Sequence, residues 1–579
     1  MQIKTVPYQL LVFAFLIGLA ASPVSAQTPY DADFWEEAAQ ICEQVQLFTD
    51  RSIYAVDETI QFVADHTVSG PIGENPWSSV LYVELIAPTG KPLAQGKYLL
   101  SGGRAEGTLH IPTESLTGNY YLKSYTRWMR NNDPGSFSYT ALKIINPYRS
   151  EVVVNTDAGS TPDGVARVPY KEGILECITG SVSYQGGEEV VLLVKGASTG
   201  YQNQLRFCVT VVPAGAVDLS GGQYVHTPVE EEGSFRVKFL PDLGSGVSIS
   251  GTVVGSDQKP VPYATLHFSL LGEIPDFFAT ISDENGRFVL TTPAGISKNM
   301  EFFVTPEQEE GRGLEVRIDQ EYDSRTVTFP GEYFRLSDDE MEVARKIALN
   351  MQLSKAFMPR DPSMENPAVD QFSEGKRIPF YGTRVNRLLI DDYVRLPNLE
   401  EVFINLVPEL QFYKKRGENR IRFLSNNNSI GVYNPLIMID HISVFDHQAL
   451  LALSPEKVER IDLINEIYLK GNVAFGGVLA IYSRRGDMAG IDLPKGSYFF
   501  DYQSFHPEVS TKEPLPLLDG RVPDTRNTLF WAGDLLLEQG GQMEIPFRAP
   551  AVSGKYVVLV RGVSPSGEVF SASTQFSVE

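Results

Sequence analysis

The stretch NPLIMIDHISVFDHQALLALSPEKVERIDLI runs from Asn434 to Ile464. An apolar run ends at Asp440-His441, a second apolar stretch follows, Ser454-Pro455 opens a helix, and a third strand-like run closes the unit. Serine at the N-cap accepts from the free amides of the first turn, and proline at the first helical position has no amide to leave unpaired. The reading is a compact β-turn-β-helix-β unit. Downstream, Gly471, Gly476 and Gly477 allow sharp turns and a bulge before the run Val478-Leu479-Ala480-Ile481-Tyr482. This α+β unit lies in a chain whose other segments read as β.

A chain of 579 residues predicts about three to five domains. Its 49 Gly and 37 Pro are spread along the sequence, and its 26 Tyr and 32 Phe fall mostly in short alternating runs, the composition of many short strands and tight turns. The expected fold class is mostly β: tandem β-sandwich domains, one α+β domain and short connector helices. Lys4, the apolar stretch Leu10 to Ala21 and Val24-Ser25-Ala26 read as a signal peptide over 1–26. The stretch is short for a bilayer-spanning helix, which needs about 20 apolar residues, and no later segment qualifies. Loss of Lys4 with the leader takes the formal charge from −23 to −24. So acidic a surface repels nucleic acid and anionic lipid. Export permits one disulfide among Cys42, Cys177 and Cys208. Cys177 and Cys208, in neighbouring strand-like runs, form the expected pair; the alternative is that all three are buried small hydrophobes.

Along the chain, Phe34, Ala38, Ile41, Val45 and Phe48 fall at helical spacing and predict an amphipathic helix over 27–48. Alternating runs then predict a sandwich over 49–148, a second over 149–246 and a third over 247–332, where Asn285-Gly286 supplies a tight turn. Ser337-Asp338-Asp339-Glu340 is a capping box. It opens a connector over 333–372 whose helix would set Met341, Ala344, Ala348 and Met351 on one face. The α+β unit fills 373–490. A final sandwich is expected over 491–579, anchored by Trp531, with Gly540-Gly541 turning a hairpin.

Several of these segments resemble known families. TDRSIYAVDETIQF, YVELIAPTGKPL, LTGNYYLKSYT and INPY, between Thr49 and Tyr148, resemble a macroglobulin-like domain. Val56-Asp57-Glu58 departs from that family's usual Pro-Gly-Glu. The run from Pro523 to Glu568 resembles another such domain. ISGTVVGSDQKPVPYATLHFSL and TISDENGRFVLTTPAG resemble the carboxypeptidase regulatory-like sandwich, in bacteria a common extension of outer-membrane transporters and surface proteins. NPLIMIDHISVFD, LSPEKVERIDLIN and IYLKGNVAFGGVLAIYSRRG resemble the plug domain of TonB-dependent receptors. Members of that family usually carry Gly where His441 stands, which implies φ > 0; histidine is among the better-tolerated substitutes. The family's plug fills a barrel of up to about 22 strands. The 89 residues after Gly490 are too few to build one. The resemblance therefore implies a plug-like domain without its own pore.

Catalytic patterns are weak. Gly196-Ala197-Ser198-Thr199-Gly200 matches G-x-S-x-G, but a nucleophile elbow needs a helix after it and a strand-like run follows; a hairpin turn is expected. Cys42-Glu43-Gln44 has the wrong spacing for a macroglobulin thioester. Asp283-Glu284-Asn285-Gly286 lacks the alternation and flanking helices of a calcium loop. Asp440, His441, Asp446 and His447 could be combined as metal ligands, but a turn with solvated ends is the plainer reading. No cofactor motif or nucleotide loop is found. The expectation is a non-enzymatic, exported envelope protein of Bacteroidetes type, periplasmic or outer-membrane-associated, engaging an outer-membrane β-barrel or transport machinery. Its candidate contact turns are Asp440-His441 and the loop carrying Gly471, Gly476 and Gly477. The rival is a secreted or surface adhesin-like protein; an enzyme ranks third.

Overall fold

The computed structural model describes residue 38 and residues 40–579 with interruptions, the longest at 154–164, 227–238, 358–378 and 507–523. The expected leader lies outside these residues. The chain is mostly β, arranged as several packed sheets with few helices.

The first sandwich faces the sheet Cys42–Thr49, Thr59–Ser69, Arg104–His110 against a five-stranded sheet. The latter is ordered Ile53–Ala55, Ser138–Ile145, Gly118–Thr126, Val80–Ile86, Pro92–Leu99. The helix expected over 27–48 is corrected across Cys42–Thr49, which is a strand paired with Thr59–Ser69. Val45 and Leu47 join the sandwich core while Phe48 packs on the other side with Val63 and Cys208. A strand covered on both faces carries apolar residues at irregular intervals, and here they mimic a helical period.

The sandwiches expected separately at 149–246 and 491–579 are corrected to one discontinuous sandwich. Glu189–Gly196 lies between Leu175–Thr179 and Gln542–Arg548; Leu205–Pro213 lies between Phe530–Leu537 and Gly554–Val563, and Val569–Val578 completes that sheet with Ser183–Tyr184. The apolar faces formed by Val190, Leu192 and Val194 on one strand, and by Phe207 and Val209 on another, are covered by Phe547, Val558, Val560, Phe570 and Phe576 from the far end of the chain. Ser198 lies outside the described residues. The strands flanking it belong to different sheets, so they bracket a crossing between sheets and not the expected hairpin.

The third sandwich pairs Ser248–Gly255 with Arg287–Thr291 and Leu314–Ile318. Its second sheet runs Asp276–Ile281, Thr265–Leu271, Met300–Pro306, Tyr498–Tyr502, so its last strand also arrives from beyond residue 490. Its core is continuous with that of the first sandwich: Val253, Phe268 and Phe288 belong to the same cluster as Tyr82 and Tyr125. Ser337 and Glu340 close the capping box reciprocally, at 2.7 and 3.3 Å. The helix Asp338–Phe357 buries Val343, Ala344, Ile347 and Met351 against Ile53, Val212 and Leu559, which ties the first sandwich to the discontinuous one. Met341, expected on that face, is exposed.

The α+β domain has the mixed sheet Asn386–Leu389, Val458–Lys470, Val473–Ser483, Leu436–Ile439, Ile442–Ser443. One face is covered by the helices Leu399–Leu406 and His447–Leu451 and by the hairpin Leu410–Lys415/Glu418–Phe423. The other face, with Leu436, Met438, Val478 and Ala480, packs on Phe277 and Ala279 of the third sandwich.

Candidate functional site

Asp440 and His441 have φ of 46° and 71° and join Ile439 to its partner Ile442. Two left-handed residues in a two-residue connection match the twist of the strands they link. The Asp440 carboxylate accepts from the Ser483 amide at 2.8 Å, the Ser483 hydroxyl at 2.5 Å and the Met488 amide at 2.9 Å. The Ser269 hydroxyl of the third sandwich donates to the His441 carbonyl at 2.7 Å. The His441 ring meets Tyr482 edge-on, 5.5 Å between centroids. Beside them, His267 Nδ1 and Ser443 Oγ are 2.8 Å apart. Burial pushes the His267 imidazole down to about 3 and lowers His441 as well, so both stay neutral near pH 7.

The combination of Asp440, His441, Asp446 and His447 as ligands gives way to separate structural tasks. His447 Nδ1 accepts the Ile421 amide at 3.0 Å, and burial pushes its imidazole down to about 4. The Asp446 carboxylate caps its short helix by accepting the Ala449 amide at 2.9 Å. Among the described residues no group of three potential ligands gathers to hold a metal ion.

The glycine loop is also committed inside the molecule. A Cβ at Gly471 would lie 2.3 Å from the Ala279 carbonyl oxygen, because the hairpin tip rests on the strand Asp276–Ile281. Lys470 reaches Asp276 there at 3.0 Å. A Cβ at Gly476 would meet the carbonyl oxygens of Ile430 and Tyr433 at 2.4 Å, and one at Gly477 would strike the Phe423 ring. The candidate contact turns also carry contacts inside the molecule: the half-buried Asp440-His441 and the exposed Gly471 bear on the third sandwich, and the buried Gly476 and Gly477 let the layers of the α+β domain close.

A cavity of about 800 Å³ opens between the first sandwich, the connector helix and the discontinuous sandwich. Its polar groups are turned on one another. Arg51 lies 3.3 Å from Asp50 and 3.1 Å from Glu58. The Asn527 amide donates to Glu58 at 2.6 Å and the Asn350 amide to Asn527 at 2.9 Å. Burial disfavours the Arg51 charge, but Glu58 and Asp50 together hold it protonated. This is a hydrogen-bonded seam between domains.

The expected Cys177–Cys208 bridge is corrected: all three cysteines are free thiols. Cys177 sits in the core of the discontinuous sandwich, whereas Cys208, on its other sheet, faces Phe48 and Val63 of the first. Adjacent runs in sequence became strands of opposite sheets. Burial pushes the Cys177 thiol up to about 12 and raises Cys208, so neither is a nucleophile near neutrality.

Sequence reasoning missed the outer layer of the α+β domain. Val394, Val432 and Leu469 are 86, 76 and 70% exposed. The run Lys414-Lys415-Arg416-Gly417-Glu418-Asn419-Arg420-Ile421-Arg422, five basic residues against one acid, was the signal available in the sequence.

No protein-family model matches the chain, and no curated protein matches it. Among solved structures it is similar to Salmonella alpha-2-macroglobulin reacted with methylamine, at 9% identity and TM-score 0.22, over 93% of this chain and 39% of that one. Trypsin-activated alpha-2-macroglobulin from Escherichia coli matches at 9% and 0.22, over 94% and 42%. The Yersinia pseudotuberculosis adhesin InvE matches at 14% and 0.13, over 47% and 57%. The chain spans about two fifths of the length of these macroglobulins. Similarity at this level leaves the fold to be argued from strand pairing.

Proposed function

We propose that the chain is a non-enzymatic, multidomain binding and scaffold protein of the cell envelope, exported to the periplasm or outer membrane of a Bacteroidetes-type bacterium. Its macroglobulin-like and regulatory-like sandwiches form the scaffold, and the plug-like domain over 373–490 engages an outer-membrane β-barrel or transport partner. One observation carries this reading. The α+β sheet is locked to the scaffold through one face, by Phe277 and Ala279, while large apolar side chains stand exposed elsewhere on the same domain. Clustered apolar exposure on a rigid mount is the mark of an interaction surface.

Affinity capture from detergent-solubilised envelopes tests it. A β-barrel or transport protein should copurify with the full chain and be lost from Tyr393→Ser/Val394→Ser, which alters exposed residues only. Equal recovery with both chains, or recovery of no envelope protein, counts against the reading. Cell fractionation separates the adhesin-like alternative, which requires the chain in the medium or on the cell surface.

A further inference from the structure

The sheet of the α+β domain ends in the edge strand Asn386–Leu389, which pairs on one side with Val458–Lys470. Among the described residues no strand pairs with its other side. An edge of this kind leaves amides and carbonyls ready to pair with another extended chain. Two other sheet edges are guarded: the strand Gln542–Arg548 carries Pro546, and the Gly471 tip rests on Asp276–Ile281. Charged side chains are another common guard. The one charged residue of the edge strand, Arg387, leans inward instead. Its Nε and Nη2 donate to the Asp462 carboxylate of the neighbouring strand at 2.8 and 3.1 Å.

The register sets a cationic surface beside this edge. Arg387 is opposed to Asp462 and Leu389 to Arg460, so the four side chains share one face. Arg460 is opposed in turn to Tyr482, and its guanidinium lies 3.8 Å from that ring's centroid. Its Nε is 3.3 Å from Asp462. The Asp462 carboxylate is fully covered and also accepts the Tyr381 hydroxyl at 2.9 Å. Two guanidiniums thus share one carboxylate, which leaves one positive charge in excess. Of the other acids near the strand's end, Asp391 is held by Arg484 at 2.5 Å and Asp392 is exposed on the turn that follows. The Arg387 and Arg460 side chains are 44 and 27% exposed. Among the described residues nothing accepts from the terminal nitrogens of Arg460. Leu389, also exposed, stands between Arg460 and the open edge.

We propose that this edge takes up an extended segment of the protein partner as a further strand, with acidic side chains on the face where Arg387 and Arg460 stand. Main-chain pairing supplies affinity in such an addition, and side chains supply specificity. Guanidiniums already oriented by Asp462 and by the Tyr482 ring suit the planar oxygens of a carboxylate. In a chain of formal charge −23 an acidic segment is repelled by the surface as a whole, so a local cationic site fixes where it docks. A free anion would use the guanidiniums but leave the open edge without a role. The proposal rests on the protein-partner reading above and names the element that receives the partner.

The test uses the full chain and a labelled, end-blocked hexapeptide of alternating Glu and Val, whose glutamates share one face when extended. Fluorescence anisotropy should show binding that weakens with salt and exceeds that of the Gln-Val and Lys-Val peptides. Arg460→Gln, which leaves the Arg387–Asp462 pair in place, should lose at least about tenfold. Arg460→Lys should recover only part of that loss. Bound peptide should slow amide exchange in Asn386–Leu389. Thermal unfolding checks each variant, and the peptide series on the unaltered chain decides by itself where a variant does not fold. Equal binding of the glutamate and glutamine peptides, no binding, undiminished binding by Arg460→Gln, or binding without slower exchange overturns the proposal; so does equal affinity for free glutarate, which would mark an anion site alone. Capture from envelopes separates this from the reading on which it rests: a partner lost from Tyr393→Ser/Val394→Ser but kept by Arg460→Gln upholds the partner and refutes the edge.

Discussion

His441 holds a left-handed backbone, φ 71°, with a side chain that packs on Tyr482. Glycine adopts this conformation freely and β-branched residues adopt it poorly. His441→Gly should change stability by less than about 1 kcal/mol, because relief of strain offsets the lost ring contact. His441→Val should cost roughly 1–3 kcal/mol. Asp440 differs in kind: its carboxylate accepts three hydrogen bonds from Ser483 and Met488. Asp440→Ala should cost roughly 2–4 kcal/mol by leaving those donors unpaired. Denaturant unfolding of the three variants checks the order, and an Asp440→Ala chain as stable as His441→Gly would refute it. The turn conformation was legible because steric preference at φ > 0 is local. The task of Asp440 was not, since its partners lie 43 and 48 residues away. The cysteines carry the same lesson. Thiol titration of the unreduced, denatured chain should find three reactive groups, and finding one would restore the bridge.

At the scale of elements, the hairpin Val458–Lys470/Val473–Ser483 is held to its neighbour by its tip. Gly471 has φ 62°, and an added Cβ would collide with the Ala279 carbonyl. Gly471→Ala therefore combines backbone strain with a clash against main chain that has no flexible end to yield. It should cost at least about 1 kcal/mol and speed amide exchange in the strand Asp276–Ile281; unchanged exchange there would show that the tip does not govern docking. The connector helix follows more local rules. Its capping box is written in Ser337 and Glu340, and Ser337→Ala should cost about 1 kcal/mol. Its buried face was misplaced at Met341 because the neighbours that select it, Ile53, Val212 and Leu559, come from two other domains.

At the scale of the molecule, the first and discontinuous sandwiches meet over charge. Arg104 bonds Asp65 at 2.7 Å and the Gly533 carbonyl, Arg206 bonds Asp534 at 2.5 Å, and Glu106 lies against Gly533. Burial pushes the Asp65 carboxyl up to about 6, although Arg104 and Arg206 oppose it, and burial raises Glu106 too. A carboxyl whose folded pKa exceeds its unfolded value of about 3.8 favours the protonated folded state. Its contribution is complete below about pH 4 and is lost as pH rises to about 6. Asp319 and Asp323 run the other way. Burial would raise them, but Arg287 and Arg325 win and lower them, so their contributions are lost on acidification. The Asp65 effect is therefore read as a difference: Asp65→Asn should gain on the wild type by about 2–3 kcal/mol between pH 4 and 6.5. Parallel stability curves for the two chains would remove Asp65 from the account.

The sequence alone determined that the chain is mostly β, that one α+β unit interrupts the sandwiches, and that Ser337 caps the connector helix. Those features rest on steric preference, hydrogen-bond capping and periodicity, all of which act over a few residues. The helix expected at Ser454-Pro455 is instead a single turn over Pro455–Lys457 with no side-chain cap, and the helix of that unit is His447–Leu451, capped by Asp446. Only the tertiary structure decided that Leu175–Pro213 and Phe530–Val578 build one sandwich, that Tyr498–Tyr502 completes another, and that Cys42–Thr49 is a strand. It likewise decided that Asp440-His441 and Gly471 bear on the third sandwich. Any apolar strand face can be covered by any other of suitable shape. The choice among them depends on which distant segment closes the core, and no local pattern encodes that.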